Sequence, residues 1–167
     1  MSNKTDIAKI TAQEQRLVFQ SFTENDAFAL GCAIRARADA ENLPMVLDIS
    51  LWDRRLFYCA RPGTTSDNED WVRRKFNLTR RLHKSSYRVG LELEENGRTL
   101  ADRSLLTAEF SAAGGCFPIH VQGAGAIGAV TVSGLPQRQD HMLVVEEIGR
   151  YLKLDIADLH LDPPVSN

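Results

Sequence analysis

Nothing in this chain approaches the roughly 18 consecutive apolar residues that a membrane-crossing helix needs. The opening stretch, "MSNKTDIAKITAQEQ", holds no apolar run of the kind a secretory leader carries. A cytoplasmic protein without a membrane partner is therefore expected. Cysteine is scarce: Cys32, Cys59 and Cys116 are odd in number, far apart and form no C-x-x-C. That excludes a disulfide framework and reads as reduced thiols. A large charge of either sign is missing too. The net charge of −2 gives nucleic acid or anionic membrane no global attraction. His83, His120, His141 and His160 are widely spaced, with no H-E-x-x-H and no i, i+4 pair, so no metal site is expected. Repeats and low-complexity segments are absent as well. What remains is an ordinary globular composition, 43% hydrophobic and 25% charged over 167 residues. One domain over residues 1–167 is expected, its core spanning about 16–155.

The local patterns alternate between helix and hairpin. A short polar helix runs to about Gln15, and "RLVFQSF" is a brief strand. Thr23 and Asp26 form a capping-box-like pair. Ala27, Leu30, Gly31, Ile34 and Ala38 then mark one helical face. "MVLDISL" and "RLFYCAR" are strands joined by a turn at Asp53 and Arg54. Ser66 with Glu69 predicts a capped helix through about His83, and residues 85–95 predict another. Strand-like "CFPIHV" and "GAVTVSG" precede a last helix with Pro136 at its first position. The tail "HLDPPVSN" is expected to fray. Hairpins interleaved with helices indicate an α+β layer fold with an antiparallel sheet.

Gly123, Gly125 and Gly128 spell G-x-G-x-x-G after a strand-like run, as a dinucleotide-binding turn does. The sequel excludes it. Val130, Thr131 and Val132 are β-branched and another glycine, Gly134, follows at once, so no helix N-terminus is there to hold a pyrophosphate. The stretch reads as a hairpin turning at "QGAG".

"GGCFPIHV…GAIGAVTVSGLPQRQDH" resembles the signature of the GlcG-like, or haem-degrading-domain, superfamily. "DAFALG", "LDIS", "PGTTSDNEDWVRRK", "KSS" and "SGLPQRQDH" are similar to one uncharacterised branch with members in bacteria and fungi, over about residues 20–155. The resemblance implies a profilin-like fold, a five-stranded antiparallel sheet with helices on both faces. It also implies homo-oligomers, dimers assembling into a ring, and haem as a possible ligand. Ala113 stands where a histidine often precedes the G-G pair in that branch, which weakens the haem and metal readings.

For the site, the basic run of Arg73, Arg74, Lys75, Arg80, Arg81, Lys84 and Arg88 suggests a place for a small anion, since arginine forks match carboxylates and phosphates. The expected ligand-binding residues are Arg74, Lys75 and Arg81 with Asp140 and His141, joined by Asp67 and Asn68 before the basic helix. His120 reads as a structural histidine and Cys116 as a buried thiol. No catalytic residue is nominated. The expected function is an oligomeric small-molecule-binding protein, for haem or a small anion. The alternative is a non-catalytic assembly or interaction module.

Overall fold

A computed structural model describes residues 3–162. Helix α1 (Lys4–Arg16) and a two-residue strand β1 (Val18–Phe19) lead into α2 (Glu24–Ala40). The hairpin β2 (Val46–Leu51) and β3 (Arg55–Ala60) follows, then α3 (Ser66–Leu82) and α4 (Ser86–Glu95). A second hairpin, β4 (Cys116–Val121) and β5 (Gly125–Ser133), precedes α5 (Gln137–Leu152). The expected tail lies partly outside the described residues.

The five strands form one sheet in the order β1-β4-β5-β2-β3. It is mixed, where a wholly antiparallel sheet was expected. β1 runs parallel to β4, pairing Val18 with His120 and Phe19 with Val121, while every other neighbour is antiparallel. A parallel pair needs a long crossover, and everything from α2 to α4 supplies it.

The two sheet faces differ in chemistry, and this positions the site. Alternate residues Leu47, Ile49, Val130, Val132, Phe117 and Ile119 join the main core with α2 and α5. The periodic residues of α2, Ala27, Leu30, Gly31, Ile34 and Ala38, are all buried there. The opposite face carries Asp48, Ser50, Thr131 and Cys116 and is covered by α3. The α3 positions that bury are Val72, Lys75, Leu78 and Thr79, two apolar and two polar. In α1 and α4, Ile10, Tyr87 and Leu91 make a separate small core.

The caps follow the sequence with one shift. Thr23 and Asp26 form a reciprocal capping box on α2. On α3 the box is Thr65 with Asn68, not Ser66 with Glu69, because Thr65 is the last extended residue (ψ 177°). Pro136 is the residue before the first turn of α5, one place ahead of the expected position. At the β4–β5 turn Gly123 (φ 78°) and Gly125 (φ 76°) take left-handed conformations, and a strand, not a helix, follows.

Candidate functional site

Of the residues expected to bind a ligand, two meet and are sealed inside. Lys75 on α3 reaches past the end of the sheet to Asp140 on α5, Nζ to Oδ2 3.2 Å, and also donates to the carbonyl of Val132 at 3.0 Å. The other carboxylate oxygen, Oδ1, accepts the N–H of Leu135 at 3.0 Å. Both side chains are nearly dry, 3% and 2% exposed. Burial pushes the Asp140 carboxyl up to about 6, with Lys75 pulling the other way. Burial likewise lowers the Lys75 ammonium against the attraction of Asp140. Gly115 makes the passage possible: a Cβ there would stand 2.3 Å from the Val132 carbonyl oxygen and 2.8 Å from Lys75 Nζ. Three motifs distant in sequence, "GG", "RRK" and "SGL…DH", thus converge on one buried tie between layers.

The other expected residues are dispersed. His141 is fully buried, with Nε2 2.8 Å from Gln13 Oε1 and its ring beside Tyr87 and Phe117. The Gln13 amide nitrogen already donates to the Leu159 carbonyl, so Nε2 carries the proton toward Oε1. Burial lowers the His141 imidazole to about 3, and it stays neutral. Asp67 accepts the Trp71 indole N–H at 3.2 Å, and Asn68 closes the α3 cap. Arg74 stacks over Trp71 at 4.0 Å and pairs with Asp70. Arg81 is exposed. Arg73 is held by Asp70 and Glu109, and Lys84 and Arg88 both pair with Glu92. Arg73, Arg74, Lys75, Lys84 and Arg88 are therefore divided among acidic partners rather than gathered around one anion. Ala113 is half-buried and lines neither of the two clefts below. Cys116 is buried, its thiol raised to about 11 by desolvation, as a structural cysteine should be.

Two clefts open on the polar side of the sheet. The larger, about 610 Å³, lies between the β2–β3 hairpin and α3. Its apolar wall is Leu51, Trp52, Val72 and Phe76. Trp52 is fixed as a plate: its indole N–H donates to the Ala126 carbonyl at 2.8 Å, and His83 stacks at 5.6 Å with the planes 11° apart. Asp48 lies in the floor, accepting from Ser50 Oγ at 2.5 Å and Arg55 Nε at 2.6 Å. Burial raises its carboxyl, opposed by those two donors.

The second cleft, about 490 Å³, lies between α1 and the β4–β5 turn. His120 lines it with Val18, Val121, Arg88 and the turn glycines Gly123 and Gly125. Burial lowers the His120 imidazole; Glu14 opposes this and His83 adds to it. Among the described residues the ring makes no hydrogen bond. Sequence reasoning set His120 aside because alternation along β4 pointed it inward. In the structure its side chain is half-buried and lines this cleft beside α1. Side chains added at Gly123 or Gly125 would meet open space, so the glycines leave this mouth clear. No group of three or more His, Cys, Asp or Glu suited to a metal ion occurs among the described residues.

The comparisons agree with this architecture. Residues 22–148 match the family described as "Haem degrading protein HbpS-like". A UPF0303 protein of Brucella canis is 52% identical over 160 residues, 95% of each chain. Among solved structures, the Ybr137w protein superposes with a TM-score of 0.80 at 27% identity, covering 88% of this chain and 89% of that one. PduOC, solved in complex with haem, superposes with a TM-score of 0.65 at 20% identity, covering 79% and 94%; at that identity the likeness is one of fold. With a family match over most of its length and a relative identical at half its positions, the chain belongs to the HbpS-like haem-degrading protein family, in its UPF0303 branch.

Proposed function

We propose that the protein is a small-molecule-binding protein for a haem-type ligand, held in the cleft between α1 and the β4–β5 turn. The single observation behind this is His120, an imidazole with lowered proton affinity and no hydrogen-bond partner among the described residues, lining a cleft of about 490 Å³. A neutral ring nitrogen is the form that ligates iron. The larger cleft offers no such donor in its lining: its walls hold no His, Cys, Met or Tyr. The residues of the His120 cleft fit the group. His120 would supply the ligating nitrogen, and Val18 and Val121 apolar contact. The family description and the haem carried by PduOC support the same ligand. Bound haem would supply a redox-active iron. The chain's part is to hold the ring and present the His120 nitrogen to it. Haemin titration into the purified protein tests this, with iron-free protoporphyrin as control. A saturable Soret shift with haemin and weaker porphyrin binding are expected, and a linear, unsaturated response to haemin refutes the proposal.

A second reading, self-association, has its own observation. Phe28 on α2 is 64% exposed and packs edge-on against Phe57 of β3, with ring centroids 6.2 Å apart. β3 is the edge of the sheet and also carries the partly exposed Tyr58. An exposed aromatic beside an open edge strand is where a second copy would dock. Light scattering on wild type and Phe28→Glu measures this. An oligomer reduced to a smaller species by the charge is expected, and equal masses refute this interface.

A further inference from the structure

The Trp52 cleft has features that neither the fold nor a haem-type ligand at His120 explains. Asp48 sits on a central strand, flanked by β5 and β3, with its side chain 4% exposed. An apolar residue there would avoid the cost of burying a carboxylate. Ser50 and Arg55 occupy two of the roughly four lone-pair sites that a carboxylate offers. Further acceptor capacity remains at the bottom of a cavity whose wall is an aromatic plate. That plate is rigid, because Trp52 is tied at its indole nitrogen and stacked from behind by His83. Phe76 stands 5.6 Å from the Trp52 ring, tilted by 57°.

The charges bordering the cavity decide what kind of flat molecule this is. Four carboxylates, Asp48, Asp53, Glu69 and Asp70, line it against three guanidiniums, Arg54, Arg55 and Arg73. Each guanidinium is engaged: Arg54 by Glu24, Arg55 by Asp48 and Arg73 by Asp70. The lining carries one negative charge in excess, and no arginine in it lacks a carboxylate partner. An anion would have to displace a carboxylate from an arginine, whereas a donor meets a free acceptor.

We infer that this cleft is a second small-molecule site, for a flat nitrogen heterocycle of neutral or positive charge, its ring against Trp52 and an N–H edge on Asp48. This reverses, for this cleft, the expectation of an anionic ligand. It is independent of haem at His120, so either can fail alone. Aminobenzimidazole is the probe and naphthoate, a flat anion of similar size, the counter-probe. Both are titrated into the full chain while the Trp52 indole N–H is followed in a proton–nitrogen correlation spectrum, with Trp71→Phe separating the two indole signals. Aminobenzimidazole is expected to shift the Trp52 signal saturably and naphthoate is not. Asp48→Asn should weaken binding about tenfold or more, since a hydrogen bond to a charged acceptor is lost. Should that variant misfold, Ser66→Trp obstructs the cavity from an exposed position at its mouth and must abolish the shift. No saturable shift, equal binding of naphthoate, unchanged affinity in a folded Asp48→Asn, or survival of the shift in Ser66→Trp would each overturn the assignment.

Discussion

Removing Lys75 should cost more than removing it together with the charge of Asp140. Lys75→Met keeps most of the stem volume and deletes the ammonium 3.2 Å from the buried carboxylate. Breaking a buried pair from one side costs about 3–5 kcal/mol. The lower end applies, because Asp140 keeps the N–H groups of Leu135 and Gly134 and lies in the first turn of α5. Asp140→Asn leaves an ammonium with the Val132 carbonyl as its remaining strong acceptor, and about 4 kcal/mol is expected. The double variant holds no ion in the dry space and should lose only about 1–2 kcal/mol, less than either single change. Urea unfolding at neutral pH reads this out. With a slope of about 2 kcal/mol per molar, Lys75→Met lowers the midpoint by about 1.5 M and the double variant by under about 1 M. The pH dependence supplies a second reading. A carboxyl that binds its proton more tightly when folded gives stability that is complete below its ordinary 3.8 and lost as pH rises through about 6. Without Lys75 burial is less opposed, so that upper limit should move higher. Single-variant losses that simply add in the double variant would refute the coupled pair.

Two further outcomes follow from neighbouring residues. Gly115 has φ +125° and no room for a Cβ, so Gly115→Ala should destabilise by about 2–4 kcal/mol and lower the melting temperature by several degrees; an unchanged melt would contradict the tight passage beside Lys75. His141 should show no imidazole titration by NMR between about pH 5 and 8. Because its proton affinity is depressed by folding, it favours the native state above 6.5 and costs about 1 kcal/mol per pH unit as pH falls toward about 3. His141→Phe should flatten that acid limb, and an unaltered limb would count against the buried neutral ring.

What the sequence made legible was local. Thr23, Asp26 and the spacing of Ala27 to Ala38 identified α2 because capping and periodicity act within a few residues. The "QGAG" turn was legible because β-branched residues after the glycines exclude a helix. The α3 cap slipped by one place because T-x-x-N and S-x-x-E overlap there, and only the backbone at Thr65 decides between them. The parallel pairing of β1 could not be read from two residues whose partners lie about a hundred positions away. At the site, Lys75 and Asp140 were both named as ligand residues. Their sixty-five-residue separation hid that they face each other inside the protein. Asp48 and Trp52 passed as ordinary members of a strand and turn, since nothing local reports that a strand faces a cavity. The place of His120 beside the smaller cleft was hidden for the same reason.

The central claim is that His120 supplies the nitrogen for a haem-type ligand. The most direct measurement is the optical spectrum of His120→Gly titrated with haemin, with and without added imidazole, beside wild type. Wild type should give a saturable Soret band of a histidine-ligated iron, the glycine variant should lose it, and free imidazole should restore it. A variant spectrum identical to wild type, or a wild type that never saturates, would contradict the account.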